Sequence, residues 1–307
     1  MRLCRRIDAM LPAPGGRTVT VGAFDGLHVG HQRILGTVLD RARALDVPAL
    51  VCSFEPMPGE VLSPDHPPAR LTCFRERFEL LGSLGVHEFF CPSFHKLKQL
   101  APQVFVEELL VRRFAARHVV VGHDFRFGRG RGGGLDELRA AGLAHGFEVT
   151  VVPPVELGGE RVSSTAIRSA LAAGDLGKAK AMLGRDYSLS GRVIRGLGLG
   201  KRLGFPTANV SLKRRRSPVD GIFAVRVSGL GPDLLDGVAS IGTRPTVGGG
   251  HALLEVLLFD FDRDIYGEHI TVHFVKRLRE ERHFDGLDAL TAQMTLDVCE
   301  ARAALAP

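Results

Sequence analysis

Short, nearly continuous apolar runs alternate with amphipathic stretches along the first half of the chain. Residues 17–22 (RTVTVG) and 47–54 (VPALVCSF) have the β-branched, apolar character of buried strands. Between them, the apolar residues of segment 34–45 recur at helical spacing and predict an amphipathic helix. The alternation continues, with helices predicted near 75–84, 102–115 and 134–145 and strands at 86–90, 118–122 and 148–152.

Strands that are apolar along their whole length, each followed by a helix, predict a parallel sheet covered on both faces. The first half is therefore expected to be an α/β domain with a Rossmann-like, doubly wound sheet. Ligands of such sheets bind at the carboxyl ends of the strands, so candidate chemistry is expected in the loops that follow them.

The pattern changes after two further short helices, predicted at 163–173 and 176–183, and we place a domain boundary there, giving domains 1–185 and 186–307. In the second domain, strands follow one another without intervening helices, separated by turns rich in Gly, Pro and Asp. This spacing predicts an antiparallel β-barrel followed by a terminal helix near 287–304. The strands are expected at 188–196, 221–230, 237–242, 252–261 and 269–278.

Composition supports a folded chain and favours an anionic partner. Hydrophobic residues make up 45% and charged residues 24% of the 307 positions, which leaves little room for a long disordered region. The net charge of +6 suits either nucleic acid or small polyphosphates. The densest basic run, KRRR at 213–216, has no interleaved aromatic residues, so a solvated loop is the preferred interpretation and nucleic-acid binding the alternative.

Nothing in the sequence predicts export. The N-terminal arginines have no apolar stretch behind them, and no run reaches the roughly 18 apolar residues of a membrane span. The five cysteines are scattered and lack CxxC spacing, so neither a disulfide framework nor a zinc site is expected. We therefore expect a cytoplasmic protein that does not bind membranes.

The strongest local signal is VGAFDGLHVGHQRIL at residues 21–35. Its HxGH signature, His28 to His31, lies where a strand gives way to a helix, and the first turn of a helix attracts phosphate. Two imidazoles on one helix face can donate hydrogen bonds to charge that develops on a phosphoryl group in transfer. The candidate residues in this loop are Gly22, Phe24, Asp25, His28, Gly30 and His31.

Two further segments of the first half suit polyphosphate. In VVVGHDFRFGRGRGGG, residues 119–134, a strand ends before Asp124 and arginines then alternate with glycines. An ordinary flexible loop is the alternative interpretation. ERVSSTAIRSAL offers hydroxyl and guanidinium groups at a helix start, where Ser164 or Thr165 could equally serve as a helix cap. Its candidate residues are Arg161, Ser164, Thr165 and Arg168.

The second half carries a glycine-rich segment, GLGLGKRLGFPTAN at 196–209, that lacks the spacing of a Walker loop. Thr207 and Asn209 offer the oxygen ligands that Mg²⁺ prefers. Glu255 lies in the middle of an apolar predicted strand, where a carboxylate is costly unless it has a function. A strand-edge residue that points to solvent is the alternative explanation.

These segments together resemble the bifunctional riboflavin kinase/FAD synthetase family of bacteria over nearly the whole chain, from Val19 to Asp297. GAFDGLHVGH, SFEP, VVVGHDFRFG and RVSSTAIR resemble its adenylyltransferase half. LGRDYSLSGRV, LGFPTANV, DGIFAV, SIGTRPTV, LEVLLFDF and YGEHITVHFVKRLREERHF resemble its flavokinase half. The resemblance implies phosphorylation of riboflavin to FMN by the second domain and adenylylation of FMN to FAD by the first.

The resemblance also implies roles for individual residues. His28 and His31 would hold the ATP phosphates during attack by FMN, Asp124 would lie near metal and phosphates, and Glu255 would be the general base on the ribityl 5′-hydroxyl. Arg279 would help to close the flavin site. The remaining residues implied to bind nucleotide are Arg161, Ser164, Thr165, Arg168, Gly198, Lys201, Gly204 and Thr207, and those implied to bind Mg²⁺ with ATP are Thr207 and Asn209.

Two positions depart from the family pattern. Members often carry Asn where this chain has Ala23, and His where it has Met57. Both changes remove polar groups from the expected adenylyl-transfer site.

Two other functions remain open alternatives. A nucleotidyl transferase acting on a phosphopantetheine or glycerol phosphate acceptor would explain the first 185 residues and leave the barrel unexplained. A nucleic-acid-binding protein with a decayed catalytic domain would show steeply salt-dependent binding. The expected partners are riboflavin, FMN, FAD and ATP, without nucleic acid, and the sequence leaves weak homo-oligomerisation open.

Overall fold

The computed structural model describes residues 1–6, 9–196, 200, 203–212, 214, 216–243 and 252–306. The chain divides into two compact units. The first contains residues 1–68 and 74–163, and the second contains residues 69–73 and 164–307. The domain boundary predicted at 185 stays a prediction; the compact units change at residue 164.

The first unit contains a parallel sheet of six strands in the order β1-β4-β3-β2-β5-β6. All five neighbouring pairs run parallel. The strands are β1 (Arg2–Cys4), β2 (Arg17–Val21), β3 (Ala49–Cys52), β4 (Glu88–Phe90), β5 (Ala116–Gly122) and β6 (Glu148–Val152). From β2 the chain proceeds in one direction through β3 and β4, and β5 then starts on the other side of β2, so the sheet is doubly wound as predicted.

Helices connect these strands. They are α1 (Val29–Leu45), α2 (Pro58–Leu62), α3 (Phe74–Ser83), α4 (Phe94–Leu97), α5 (Pro102–Val104) and α6 (Leu135–His145). The segment predicted as one helix at 102–115 has π-helical geometry over Phe105–Arg113. A short hairpin, β7 (Glu156–Leu157) with β8 (Glu160–Arg161), ends the unit. Apolar side chains of β2, β3 and β5 meet those of the helices in buried clusters on both faces of the sheet.

The second unit begins with helices α7 (Ser164–Ala172) and α8 (Leu176–Leu183) and continues as a closed antiparallel barrel. Around the barrel the strands follow the order β10-β13-β12-β11-β14-β9. They are β9 (Ser188–Ile194), β10 (Ala208–Ser211), β11 (Gly221–Ser228), β12 (Leu235–Thr243), β13 (Ala252–Leu258) and β14 (His269–Arg279). Ala208 and Asn209, which end the glycine-rich segment 196–209, lie in β10.

Alternation along the strands separates the inside of the barrel from its outside. On β13, Leu254, Val256 and Leu258 are buried, whereas Leu253, Glu255 and Leu257 are only partly buried. The terminal helix α9 (Leu287–Leu305) packs on the outer surface, where Ala301 and Leu305 contact a cluster that includes Leu257. Both the barrel and its terminal helix were predicted from the sequence.

The basic run at 213–216 is not a solvated loop throughout. Arg214 is 4% exposed, and its guanidinium donates to the carbonyl of Arg70 at 3.0 Å and to the Tyr187 hydroxyl at 3.4 Å. The sequence could not show this because both partners lie far away in the chain. Lys213 and Arg215 lie outside the described residues, and Arg216 is exposed.

All five cysteines are free thiols. Burial raises the pKa of the Cys91 thiol to about 11, which makes it a poor nucleophile. In the described part of the chain, no three His, Cys, Asp or Glu residues form a cluster that could hold a metal ion. No described helix combines the length and the apolar character needed to cross a membrane.

Candidate functional site

The HxGH segment lies at the carboxyl end of β2. Beside this strand the order of the strands reverses, with β3 on one side and β5 on the other. Its loop, residues 22–28, is fastened by the side chains of Phe24 and Leu27, which are 2% and 1% exposed and pack with Leu35 and Phe89. Both loop residues have positive φ angles, 51° and 43°. Such a backbone is costly outside glycine and persists only where the surrounding structure holds it.

His28 caps the N-terminus of α1. Its backbone is extended, and its Nδ1 accepts a hydrogen bond from the backbone N–H of His31 at 3.3 Å. A nitrogen that accepts a hydrogen bond carries no proton, so the proton of neutral His28 lies on Nε2. The cap therefore leaves His28 with an Nε2–H donor at the positive end of a helix of 17 residues.

The two histidines form a stacked pair. Their ring centroids are 3.7 Å apart and their planes differ by 17°. Desolvation of the ring, and secondarily the adjacent His28, hold the pKa of His31 well below its ordinary value of 6.5. His31 is therefore neutral at physiological pH and offers hydrogen bonds rather than a full positive charge.

Gly30 makes room for this arrangement. A Cβ at this position would lie 3.2 Å from both Nδ1 and Cε1 of His28, closer than ordinary van der Waals contact. A side chain at this position of the HxGH signature would therefore need the His28 ring to shift by a few tenths of an ångström.

Asp124 follows β5, the strand on the other side of β2, so its loop and the HxGH loop leave the same edge of the sheet on neighbouring strands. Its carboxylate accepts a hydrogen bond from Arg161 at 2.6 Å. Partial burial alone would raise the pKa of Asp124, but the hydrogen bond and charge of Arg161 outweigh burial, and the pKa lies below its usual range. These two predicted residues therefore act as one ion pair.

The other predicted residues of the RVSSTAIR segment belong to the second unit. Ser164 is the first residue of α7, and Thr165 is exposed. Arg168, half-buried, donates from Nε to the carbonyl of Ala69 at 2.6 Å. That contact fixes the side chain of Arg168 to residues 69–73, a role that the sequence did not predict.

In the barrel, Asn209, Glu255 and Ser240 form a row across three adjacent strands. Asn209 on β10 is paired directly with Glu255 on β13, which is paired in turn with Ser240 on β12. Directly paired residues of antiparallel strands point to the same face, so all three lie on the outside of the barrel. Glu255 is only partly buried, so its carboxylate does not lie in a fully apolar environment. Its strand, β13, lies between β10 and β12, so Glu255 is not on an edge strand either.

The glycine-rich segment passes close to the predicted magnesium ligands. A Cβ at Gly200 would lie 3.0 Å from Oγ1 of Thr207, and one at Gly196 would overlap the amide of Asn209. Gly204 has a positive φ of 86°. Gly198 and Lys201, predicted to bind nucleotide, lie outside the described residues.

Arg279 is held by a partner that the sequence analysis missed. Its Nε and Nη2 donate to the two carboxylate oxygens of Asp297 at 2.8 and 2.7 Å, and Asp297 is 4% exposed. Gln293 donates to the same carboxylate at 2.9 Å. The pair fastens α9 to the end of β14. Ser240, whose hydroxyl donates to Glu281 at 3.2 Å, was also missed, because its position beside Glu255 depends on the register between β12 and β13.

Two family models match separate parts of the chain. Residues 11–166 match the family model for FAD synthetase, and residues 183–305 match that for riboflavin kinase. A protein of Escherichia coli K12 is 44% identical over 98% of this chain and 97% of its own length. One from Pseudomonas fluorescens is 45% identical over 100% of this chain and 99% of its own. Both are described as bifunctional riboflavin kinase/FMN adenylyltransferases. The chain belongs to this bifunctional family.

A solved structure also matches over the full length. The crystal structure of a macrolide-efflux protein from Streptococcus pneumoniae aligns with a TM-score of 0.84 and 31% identity, covering 99% of both chains. The alignment shows that the same two-part architecture occurs in that protein.

Proposed function

We propose that this protein makes FAD from riboflavin in two ATP-dependent steps. Residues 186–307 transfer the γ-phosphoryl group of ATP to riboflavin, which gives FMN and ADP. Residues 1–185 then join FMN to the adenylyl group of a second ATP and release pyrophosphate. The observation that carries the proposal is the 44% identity to the Escherichia coli enzyme over 98% of the chain, which includes both halves.

In the adenylyl step, the FMN phosphate attacks the α-phosphorus of ATP and pyrophosphate leaves. Such transfers depend mainly on alignment and charge stabilisation, which suits a site built from donors and glycines without a nucleophile. The Nε2–H of His28 and the neutral ring of His31 stabilise the charge that grows on the phosphate oxygens. The ion pair of Asp124 and Arg161 orients the nucleotide on the neighbouring strand end. Further nucleotide contacts in this unit come from Gly22, Phe24, Asp25 and Gly30.

In the kinase step, Glu255 accepts the proton of the ribityl 5′-hydroxyl as that oxygen attacks the γ-phosphorus. Glu255 is paired across the strands with Asn209, a proposed ligand of the magnesium ion that enters with ATP. This pairing would bring the proton acceptor for riboflavin close to the ATP phosphates. Gly198, Lys201 and Gly204 contribute to the ATP site. The pair of Arg279 with Asp297 orders the end of β14 and the terminal helix beside the flavin.

The donor set fits a magnesium ion that enters with ATP. Thr207 and Asn209 offer hydroxyl and amide oxygens, which are hard ligands, and Gly200 leaves the backbone close to the Thr207 hydroxyl. Bound there, Mg²⁺ would neutralise phosphate charge during transfer.

We further propose that the substrates riboflavin, FMN, FAD and ATP are the main partners, and that the protein works in the cytoplasm without nucleic acid or membrane. Free thiols support a reducing compartment. Weak self-association is compatible with this proposal.

The test is to incubate the purified chain with riboflavin, ATP and Mg²⁺ and to separate the flavins by chromatography. FMN should form first and FAD second. His28→Ala should slow FAD formation about 10²- to 10³-fold while FMN still forms. Glu255→Gln should slow FMN formation about 10²- to 10⁴-fold and leave adenylylation of supplied FMN intact.

A matched control is His145→Ala, which alters an exposed histidine at the end of α6 and should change neither rate. Equal loss of both activities in His28→Ala would show that the two reactions are not divided between the halves as proposed.

A further inference from the structure

Arg77 is a fully buried cation in the first unit. It lies on α3, and its side chain is 0% exposed. A buried guanidinium loses its hydration, and this loss lowers stability unless hydrogen bonds and a charged partner offset it. Since no part of it reaches the surface, Arg77 cannot touch a substrate, and any contribution to the reaction must pass through its neighbours.

Its hydrogen bonds join the ends of two neighbouring strands. One terminal nitrogen, Nη1, donates to the carbonyl of Ala23, after β2, at 3.1 Å. The other, Nη2, donates to the carbonyl of Phe54, after β3, at 3.1 Å, and lies 3.2 Å from the Glu55 carboxylate. Nη1 also contacts the Met57 sulfur at 2.9 Å. The planar guanidinium thus spans two loops that leave the same edge of the sheet.

The Ala23 carbonyl has a second donor. The hydroxyl of Ser53, which is 0% exposed, donates to the same oxygen at 2.9 Å. Ala23 directly precedes Phe24, the first of three positive-φ residues, Phe24, Gly26 and Leu27, that lead to His28. A strained loop keeps its conformation only if several contacts fix it, and two buried donors on one carbonyl supply such contacts at its start.

We propose that Arg77 is a positioning residue for adenylyl transfer: by holding Ala23 and Phe54 it sets the position of the loop that carries His28 and His31. This inference rests on the proposed function of the first half. Arg77 also contacts both positions at which the chain departs from its family pattern. It donates to the backbone carbonyl of Ala23 and contacts the side chain of Met57.

The test compares Arg77→Lys with the unaltered full-length protein. Lysine keeps the charge but has a single nitrogen, so it cannot reach both carbonyls in the way that the two guanidinium nitrogens do. We expect kcat for FAD formation from FMN to fall by about 10- to 100-fold, the usual cost of displacing reacting groups by about 1 Å. The KM for ATP should change by less than about 2-fold, because the lost stabilisation arises in the transition state. FMN formation from riboflavin should be unchanged.

The matched control is Arg75→Lys, on the same helix. Arg75 is 57% exposed at its side chain and pairs with Glu79, so this variant should leave both reactions unaltered. Ser53→Ala gives a second, milder probe that does not depend on how well Arg77→Lys folds. It should lower kcat for FAD formation about 3- to 10-fold, and the double variant should lose less than the product of the two single effects, since both donors act on one oxygen.

An unchanged kcat for FAD formation in folded Arg77→Lys or in Ser53→Ala would overturn the inference. Parallel losses of FAD and FMN formation in Arg77→Lys, with a lowered melting temperature, would overturn it too, because they would indicate a purely structural role. If the unaltered protein made FMN but no FAD, the proposed function of the first half would fail and this inference with it.

Discussion

Replacing Gly30 with alanine tests whether the geometry of the histidine pair, rather than the mere presence of two imidazoles, sets the rate of adenylyl transfer. The new Cβ would lie 3.2 Å from two atoms of the His28 ring. That ring cannot move aside freely, because it stacks on His31 at 3.7 Å and accepts the His31 N–H at 3.3 Å. We expect the ring to shift and the capping hydrogen bond to weaken.

The stability and the activity of this variant should respond differently. Alanine is favoured over glycine by about 1 kcal/mol in a helix interior and by less in the first turn, where Gly30 lies. Loss of an N-cap hydrogen bond costs about 1 kcal/mol, so the free energy of unfolding should fall by less than about 1 kcal/mol. The rate of FAD formation should nevertheless fall about 10²-fold, as expected when a donor is displaced from the reacting phosphate.

The assay measures FAD formation from FMN, FMN formation from riboflavin, and the urea unfolding midpoint of each variant. Gly36→Ala is the matched control on the same helix, since a Cβ there would meet nothing within 4 Å. It should raise stability by about 1 kcal/mol and leave both rates unchanged. A wild-type rate of FAD formation in Gly30→Ala, or an equal loss in Gly36→Ala, would refute the reasoning.

Two further predictions concern stability. Because the pKa of folded His31 lies well below 6.5, the unfolded chain binds a proton there that the folded chain does not, so the free energy of unfolding should fall as pH drops through about 6.5 and stay level above it. Urea denaturation at a series of pH values measures this, and His31→Gln should weaken the dependence; an unchanged profile would contradict it. Asp297→Asn should destabilise the second unit by about 3 kcal/mol, because it leaves Arg279 without its buried carboxylate. Asp260→Asn, which removes the exposed partner of Arg302 on the same terminal helix, should shift the melting temperature far less, and equal shifts would count against a special role for Asp297.

The long elements of both units could be predicted because their apolar periodicity is local. The helix over α1 and the strands β2, β3 and β5 follow directly from spacing in the sequence. The short elements could not be predicted from local periodicity. β1 has only three residues and becomes a strand by pairing with β4, far along the chain, and β10 is defined by its neighbours β9 and β13.

The candidate site was predicted in part for the same reason. His28 and His31 are recognisable because their chemistry and their spacing lie in one segment. Arg77 carries no such signal, since an arginine on an amphipathic helix is usually exposed and its burial depends on loops contributed by β2 and β3. The pairing of Asn209 with Glu255 likewise depends on strand register, which single-sequence patterns do not reveal.

Because Glu255 points outward, packing of the barrel interior and chemistry depend on different residues of the same strand. Inward positions such as Leu254 and Val256 maintain a tightly packed interior, while outward positions that α9 does not cover, such as Glu255, are available for chemistry. Substrate preference could therefore change through the outward residues around Glu255, such as Asn209 and Ser240, without repacking the interior. Variation confined to these alternate positions would be expected wherever related barrels act on different alcohols.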